Sequence, residues 1–423
     1  MHQQKTQKIQ IEKVMMKLLK NSKVVILLDQ AIFSGTSFIL TILLAQILSM
    51  ENFGQFAMFI LGIHLLVSGI GAFIIQPFQV LFAKENNHQQ YTTFVFWFQI
   101  LAITCVALLS FCIHLIFPSL FPIFLIAYGT GFLIHDFGRR LLLVLNKPMA
   151  TLLFDGVSAL LSLIAIYLFS SLSVQNLDSL FAVLSFSYLS SFILLINIIR
   201  PSMLTQSFVF QGLLKHWREG KWYFFTVISQ WWASNLFVVA SGIYLGTAAL
   251  GALRLAQSLM GVLNILLQTF ENYILPLTAK KLNDHPEEGL NYVVGISRKA
   301  GLLFIPVLVV VFLFAEPLIV LAGGSEYASY AFTLKGMTIL YFIIFLSQPI
   351  RLFIRAMLLN NHFFYGYLIS LSFSLIFAHT LLSSYGLMGA ILGLSISQIL
   401  LITYWTIILQ KKKIHLWKSF ISF

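Results

Sequence analysis

Long runs of apolar residues recur along the whole chain, and each run has about the length that a helix needs to cross a bilayer. Short polar or basic stretches separate the runs, and no regular alternation of polar and apolar residues indicates strands. The pattern predicts twelve membrane-spanning helices, at residues 24–48, 55–76, 93–117, 120–145, 151–170, 178–199, 221–245, 247–275, 300–322, 332–358, 362–383 and 386–409. The fold class that follows is an all-α, polytopic membrane protein.

A weak internal similarity divides the predicted helices into two sets of six. Phe53-Gly54-Gln55-Phe56 matches Leu250-Gly251-Ala252-Leu253 at an offset of 197 residues. We therefore expect two six-helix, pseudo-symmetric bundles with a central cavity between them. The predicted parts are a basic N-terminal segment at 1–23, a first bundle at 24–199, a cytoplasmic linker at 200–220, a second bundle at 221–409 and a basic tail at 410–423.

The net charge of +12 reflects the orientation of the chain in the membrane. All but two of the 26 lysines and arginines fall on the side that holds both termini; the exceptions are Arg254 and Lys335. Cytoplasmic loops of membrane proteins carry such an excess of cations. We therefore expect a multi-pass protein of the cytoplasmic (inner) membrane with both termini in the cytoplasm. The charge does not indicate nucleic-acid binding, because basic residues are not interleaved with aromatic residues on a soluble surface.

The composition of the chain and the length of its loops limit the classes of function that it can have. The chain is 59% hydrophobic and 9% charged, and its longest predicted external loop runs only from about residue 316 to 330. The sequence contains no metal-ligand cluster, nucleophile triad or nucleotide-binding glycine motif. We expect a transporter without a cofactor rather than an enzyme.

The predicted helix at 247–275 carries a stripe of polar residues. The stripe consists of Arg254, Gln257, Gly261, Asn264, Gln268 and Glu271, at spacings of 3, 4, 3, 4 and 3. These spacings place the residues on one helical face. That face cannot be turned to lipid, where a central Arg costs at least about 2.5–3.5 kcal/mol. The stripe either lines a cavity, with Arg254 pairing with an anionic group, or holds neighbouring helices together through polar bonds.

Other polar residues also allow two interpretations. Gln230 and Ser234 lie on a similar face of the helix at 221–245, and the adjacent Trp231 either packs in the bundle or stacks on a sugar ring. Lys335 either extends outward to the membrane surface or adds a second cation to the cavity.

Asp29 and Glu271 are carboxylates near the predicted inner ends of their helices. Each is either an interfacial residue or a site for a coupling ion, H⁺ or Na⁺, that titrates during transport.

Four arginines lie at the inner ends of predicted helices: Arg139, Arg140, Arg351 and Arg355. They either anchor the helices to lipid phosphates or collect a diphosphate group at the inner leaflet.

The first predicted helix and the residues after it resemble the opening of a known family. The stretches concerned are Leu28-Asp29-Gln30-Ala31-Ile32-Phe33-Ser34-Gly35-Thr36-Ser37-Phe38, Leu43-Leu44-Ala45-Gln46-Ile47-Leu48-Ser49 and Phe53-Gly54-Gln55-Phe56. They are similar to the polysaccharide-biosynthesis (O-antigen-type) flippases of the multidrug/oligosaccharidyl-lipid/polysaccharide exporter superfamily. Twelve spans in two halves agree with that architecture over essentially the whole chain.

The resemblance implies transfer of an undecaprenyl-diphosphate-linked oligosaccharide from the inner to the outer leaflet by alternating access. It implies a cationic cavity for the diphosphate, and Arg254 is the residue that suits this role. The expected partners are the lipid-linked substrate, membrane lipids, a coupling H⁺ or Na⁺, and other membrane proteins of polysaccharide assembly. An ion-coupled multidrug exporter of the same superfamily is the alternative, and the first two spans lack the Lys or Arg that a strongly cationic cavity would favour.

Overall fold

The computed structural model describes residues 22–118, 121–171, 176–284 and 286–416. Every regular element within these ranges is a helix, which confirms the predicted all-α fold class. Nearly all of the predicted basic segment at 1–23 and the end of the predicted tail lie outside the described residues.

The α-helices are labelled in chain order. They are α1 Ser22–Ile47, α2 Met50–Phe73, α3 Ile75–Leu81, α4 His88–Ile116, α5 Ile123–Val144, α6 Pro148–Ser170, α7 Leu177–Ile199, α8 Gln206–Leu245, α9 Thr247–Thr269, α10 Leu275–Asp284, α11 Pro286–Leu313, α12 Ala315–Gly323, α13 Ala331–Ala356 and α14 Asn360–Lys411. A π-helical segment, Phe270–Ile274, joins α9 to α10, and 3₁₀ turns lie at Phe82–Lys84 and Ser325–Tyr330.

Eight helices in the described ranges are long and apolar enough to cross a membrane. The predicted number of twelve remains a prediction, because some helices are broken and others are merged. The 52-residue α14 contains the two predicted spans at 362–383 and 386–409, and its backbone breaks at Gly386, where φ is +55°. Glycine adopts this left-handed conformation without the steric cost that a Cβ would impose.

Helices extend beyond the predicted spans where the sequence is amphipathic rather than uniformly apolar. The predicted linker at 200–220 is helical from Gln206 onward, and α8 continues without a break to Leu245. In the same way, α11 begins at Pro286, well before the predicted start at 300, and it ends at Leu313. The apolar runs indicate which part of a helix has the length and composition to lie in the membrane. The helix itself can continue beyond that part where one of its faces packs against other residues.

The chain forms two compact units. Unit 1 comprises Met1–Leu40 and Ile63–Phe224, and unit 2 comprises Thr41–Gly62 and Phe225–Phe423. Residues 41–62, which the sequence analysis placed in the first bundle, therefore group with the C-terminal half of the chain.

The N-terminal part of α8 belongs to the core of unit 1. Pro77 has no N–H, so the carbonyl of Phe73, four residues earlier, lacks the usual helical donor. His216 on α8 supplies one: its Nδ1 lies 2.8 Å from the Phe73 oxygen. Because that oxygen only accepts, Nδ1 donates, and Nε2 of the neutral ring accepts from the Tyr91 hydroxyl at 2.8 Å. His216 is fully buried, and both ring nitrogens are used.

In unit 2, α9 is held by a close approach of backbones. A Cβ at Gly54 would overlap the carbonyl oxygen of Thr247, and one at Gly251 would lie 2.8 Å from the carbonyl oxygen of Met50. The two tetrapeptides that match at an offset of 197 thus lie against each other. Small residues allow such contacts between membrane helices. The packing fixes the position of α9, on which the side chains of Leu253 and Leu255 are fully buried.

Candidate functional site

Unit 1 contains a buried cluster of charges contributed by three helices. Arg139 on α5 donates from Nη2 to Asp29 Oδ2 on α1 at 2.9 Å, and from Nε to Asp155 Oδ2 on α6 at 2.6 Å. Nη2 also donates to Gln30 Oε1 at 3.0 Å. The guanidinium carbon lies 4.3 Å from the centre of the Phe33 ring, on the same helix as Asp29. One cation therefore joins α1, α5 and α6.

The cluster is buried, so any imbalance among its charges carries a large energetic cost. The side chains of Asp29 and Asp155 are each 1% exposed, and that of Arg139 is 13% exposed. Two carboxylates and one guanidinium leave one negative charge in excess if both acids are ionised. An unbalanced charge in such a place is expensive, so the pairing of both acids with Arg139 stabilises the cluster.

His135 lies one helical turn before Arg139 and faces the same acid. Its Nε2 is 3.4 Å from Asp155 Oδ1, and its ring stacks on Phe154 with centroids 4.7 Å apart. The Oδ1 atoms of Asp29 and Asp155 are buried without a hydrogen-bond partner. The contact between α5 and α6 is close because Gly138 has no Cβ, which would lie 2.8 Å from the Phe154 ring.

The structure thus brings together residues that the sequence analysis treated separately. The sequence analysis predicted an interfacial or ion-coupling role for Asp29 and contact with phosphate for Arg139, and in the structure these two side chains pair with each other. Arg140 pairs with Asp136, one turn away, at 2.9 Å. The sequence analysis did not single out Asp155, although it is the only acid in its predicted span.

Unit 2 contains Arg254, whose surroundings differ from those of Arg139. Arg254 is half-buried on α9, and its Nη1 donates to Gln257 Oε1, three residues along, at 3.0 Å. Among the residues that the structure describes, no carboxylate forms a salt bridge with Arg254. Within that part of the chain, the Gln257 amide is a neutral partner and leaves the charge of Arg254 uncompensated.

The rest of the polar stripe continues along α9. Asn264 is exposed, and its Nδ2 donates to the Tyr341 hydroxyl on α13 at 3.0 Å, a partner that the sequence analysis did not single out. Gln268 is exposed, and the side chain of Glu271 lies outside the described residues. The stripe thus presents amide groups on the side of α9 that carries Arg254.

The remaining predicted site residues lie on other helices of unit 2. On α8, Gln230 and Trp231 are half-buried and Ser234 is exposed. Trp231 meets Trp232 edge to face, with ring centroids 5.1 Å apart. Lys335 on α13 is exposed, and its Nζ lies 6.0 Å from the Phe312 ring.

Arg351 and Arg355 are half-buried near the end of α13. The guanidinium of Arg351 lies 6.0 Å from the Phe363 ring on α14. Within the described ranges, no group of three or more His, Cys, Asp or Glu residues is arranged to hold a metal ion.

Comparisons with known proteins agree with this architecture. The profile of a family described as "Polysaccharide biosynthesis protein" matches residues 43–332. No curated protein sequence matches the chain.

Several solved structures share the fold. The lipid II flippase MurJ in an inward closed conformation superposes with a TM-score of 0.69 at 16% identity, covering 94% of this chain and 89% of that chain. An inward-facing multidrug resistance MATE transporter of the MOP superfamily also gives 0.69, at 12% identity, covering 91% and 95%. A MOP-superfamily transporter from Pyrococcus furiosus, described as having a binding pocket of reverse polarity, gives 0.61 at 12% identity, covering 93% and 97%.

Proposed function

The chain belongs to the polysaccharide biosynthesis protein family, and from that premise we propose that it is a flippase for lipid-linked oligosaccharides. Its substrate would be an undecaprenyl-diphosphate-linked repeat unit of O-antigen or another surface polysaccharide. The protein would carry this unit from the inner to the outer leaflet of the cytoplasmic membrane by alternating access, with both termini in the cytoplasm. It would perform no covalent chemistry.

The observation that carries the proposal is the unbalanced charge of Arg254. A guanidinium within a membrane-spanning helix is costly unless an anion accompanies it, and Gln257 supplies only a neutral acceptor. The planar fork of Arg suits the oxygens of a phosphate. A diphosphate therefore supplies the charge that this site lacks, whereas a cationic drug would be repelled by it. This is why we favour the flippase over the multidrug exporter.

The polar residues around Arg254 would serve the oligosaccharide. Gln257, Asn264 and Gln268 continue along α9 from the arginine, and their amides both donate and accept hydrogen bonds, as sugar hydroxyls do. Gln230, Ser234 and Trp231 on α8 would contribute further bonds and an aromatic face. Lys335 would be a second cation for the same group.

The arginines at helix ends have different capacities for phosphate. Arg139 is bound to two carboxylates, so a diphosphate would have to displace one of them. Arg140 is paired with Asp136 but is partly exposed. We propose that Arg140, Arg351 and Arg355, rather than Arg139, attract the diphosphate at the inner leaflet.

A transport assay in proteoliposomes tests the function. Protein with a fluorescent polyprenyl-diphosphate oligosaccharide would be reconstituted, and a membrane-impermeant quencher would report how much of the lipid has changed leaflet. We expect transfer by the wild type, at least about tenfold slower transfer by Arg254→Gln, and wild-type transfer by Arg218→Gln. Arg218 is the matched control because its side chain is 84% exposed, and a tenfold effect corresponds to about 1.4 kcal/mol.

Three results would count against the proposal. The first is that the wild-type protein transfers none of several diphosphate-linked oligosaccharides that differ in their sugars. Equal transfer of the same lipid without its diphosphate is another. Export of cationic drugs by the same proteoliposomes, unaffected by Arg254→Gln, would favour the alternative exporter.

A further inference from the structure

We infer that the hydroxyl group of Tyr341 is a second hydrogen-bond donor for the substrate in unit 2, so that Arg254 and Tyr341 together hold a diphosphate over the open space at Gly261. The inference rests on the proposed function and extends it, because it gives the diphosphate two points of attachment. Tyr341 then becomes the residue that distinguishes a diphosphate from a monophosphate.

The first argument is the direction of the hydrogen bond at Tyr341. Asn264 on α9 donates from Nδ2 to the Tyr341 hydroxyl oxygen on α13 at 3.0 Å. That oxygen is the acceptor, so its own O–H can be donated elsewhere. Within the described ranges, no hydrogen bond has the Tyr341 hydroxyl as its donor. Tyr341 is 7% exposed, and a buried tyrosine hydroxyl usually has a partner for its O–H.

The second argument is an opening in the polar face of α9. Gly261 follows Gln257 by four residues and precedes Asn264 by three, so the three lie on one face. A Cβ at Gly261 would meet no atom of the described residues within 4 Å. The helix rises about 10 Å from Gln257 to Asn264, and no side chain fills the middle of this distance. The face therefore has room for a ligand between its polar groups.

Arg254 and Tyr341 approach this opening from two helices. Arg254 lies two turns before Gly261 on α9, whereas Tyr341 reaches Asn264 from α13. The guanidinium and the phenol are near enough to interact electrostatically. A group of two linked phosphates can therefore contact both side chains.

The chemistry of these groups suits a diphosphate. Arg254 donates to Gln257 through Nη1, which leaves Nε and Nη2 for the oxygens of one phosphate. The O–H of Tyr341 can donate to the second phosphate, whose oxygens only accept. Because the hydroxyl is neutral, it adds a bond without adding a charge. A monophosphate held by Arg254 would leave this bond unmade, so Tyr341 contributes to affinity only when the second phosphate is present.

The bond between Asn264 and Tyr341 is not the sole contact between this part of the chain and α13. Phe270, in the π-helical segment after α9, meets Phe345 of α13 edge to face, with ring centroids 6.4 Å apart. Asn264 is exposed, so its hydrogen bond replaces one to water and contributes little to packing. Asn264 is a positioning residue, because its amide fixes the hydroxyl oxygen and directs the O–H away from itself.

Native mass spectrometry of the purified full-length protein tests the inference. The probes are undecaprenyl diphosphate, undecaprenyl monophosphate and undecaprenol, which carry two, one and no phosphate groups. We expect the wild type to prefer the diphosphate to the monophosphate. Tyr341→Phe should lose at least about fivefold of that preference, as for one hydrogen bond to a charged group. Arg254→Gln should instead weaken the binding of both phosphates relative to undecaprenol.

Tyr404→Phe is the matched control for the loss of a hydroxyl group. The Tyr404 hydroxyl also bonds to a side chain of unit 2, His362 Nδ1 at 3.0 Å, but both residues belong to α14. The control should keep the wild-type preference for the diphosphate over the monophosphate.

A second variant fills the opening on α9. Gly261→Leu adds a side chain where a Cβ meets open space, and leucine favours a helix more than glycine does. The unfolding midpoint should therefore stay the same or rise, while the affinity for the diphosphate should fall at least about tenfold. Gly295→Leu on α11 is the matched control, because Gly295 is also half-buried and a Cβ there also meets no described atom within 4 Å. It should bind as the wild type does.

The outcomes separate this inference from the proposed function. An unchanged preference for the diphosphate over the monophosphate in Tyr341→Phe would overturn the role of Tyr341. Wild-type affinity in Gly261→Leu would overturn the position of the ligand. If one of these variants fails to fold, the other still decides. Either result, with weaker binding of both phosphates in Arg254→Gln, would leave the proposed function intact. Equal binding of all three lipids by the wild type would refute both.

Discussion

Arg139 in unit 1 and Arg254 in unit 2 differ in the charge of the groups that they contact. Arg139 in unit 1 is bound to two buried carboxylates, whereas Arg254 in unit 2 is bound to the neutral side chain of Gln257. The first site has one negative charge in excess when both acids are ionised. The second has one positive charge in excess.

This difference indicates different roles for the same type of residue. An arginine that is fully paired inside the protein holds helices together and is unavailable to a ligand without rearrangement. An arginine with only a neutral partner contributes little to packing but attracts an anion. Arg139 in unit 1 therefore has the surroundings of a structural residue, whereas those of Arg254 in unit 2 suit the diphosphate site that we propose.

The largest expected effect comes from removing the paired arginine. Arg139→Met leaves Asp29 and Asp155 buried without a counter-charge, which should lower the free energy of unfolding by about 3–5 kcal/mol. Thermal unfolding in detergent, followed by tryptophan fluorescence, measures this. Arg140→Met is the control; it removes a partly exposed pair within one helix and should cost about 0.5 kcal/mol.

A triple variant tests whether the loss of stability in Arg139→Met comes from the two unpaired acids. Adding Asp29→Asn and Asp155→Asn to Arg139→Met removes both unpaired charges and should restore most of the lost stability. Asp155→Asn alone should change stability by less than about 1 kcal/mol, because its amide oxygen can still accept from Arg139 and Asp29 still balances the charge of the guanidinium. A large loss in Asp155→Asn, or no rescue in the triple variant, would contradict the account of unit 1.

The next effect concerns the helix that carries the other arginine. Because a Cβ at Gly54 would overlap the carbonyl oxygen of Thr247, Gly54→Ala should push α2 and α9 apart. We expect a loss of about 1–3 kcal/mol in unfolding free energy, typical of overpacking. Gly62→Ala, where a Cβ meets nothing within 4 Å, is the matched control on the same helix. Equal stability of the two variants would show that close backbone packing does not hold α9.

A further effect concerns the pH response of the α8 segment in unit 1. Burial lowers the pKa of His216 below its ordinary value of 6.5. A histidine whose pKa falls on folding contributes stability at high pH that is lost as the pH falls below the unfolded value. We therefore expect the wild type to lose stability below about pH 6.5.

His216→Phe keeps the aromatic packing but leaves the Tyr91 hydroxyl and the Phe73 carbonyl unpaired. It should cost about 1–2 kcal/mol at neutral pH. It should also remove the histidine part of the loss at low pH, as shown by unfolding midpoints across a pH series. Lys215→Gln, which removes the neighbouring ion pair with Glu85, should keep that pH dependence. The same pH dependence in His216→Phe and the wild type would refute this assignment.

The smallest effect on stability is expected at Arg254. Because no described carboxylate pairs with it, Arg254→Gln should change the unfolding free energy by less than about 1 kcal/mol, or raise it. Thermal unfolding next to Arg139→Met gives the comparison directly. A loss as large as that of Arg139→Met would mean that Arg254 is a structural residue, and the two arginines would then have the same role.

Much of the fold could be predicted from the sequence, because hydropathy reports the length of each membrane-spanning helix. The prediction for α7, 178–199, differs from the observed Leu177–Ile199 by one residue. The amphipathic start of α8 at Gln206 could not be found in this way, since it has no continuous apolar run. Its packing depends on Phe73 and Tyr91, which are distant in sequence.

The site was only partly predictable for a related reason. Periodicity correctly placed Arg254 and Gln257 on one face of α9, close enough to bond. It could not show which helix faces another, so the pairing of Asp29 with Arg139, 110 residues away, was not predicted. Asp155 had a usable signal in the sequence, because it is a lone acid in an apolar span.

Equilibrium binding of undecaprenyl diphosphate to the purified protein tests the central claim most directly. Native mass spectrometry would compare it with undecaprenol, which lacks the phosphates, for the wild type, Arg254→Gln and the exposed control Arg218→Gln. We predict that the wild type and Arg218→Gln prefer the diphosphate, and that Arg254→Gln loses at least about tenfold of that preference. An unchanged preference in Arg254→Gln would contradict the claim that unit 2 holds the anion through Arg254.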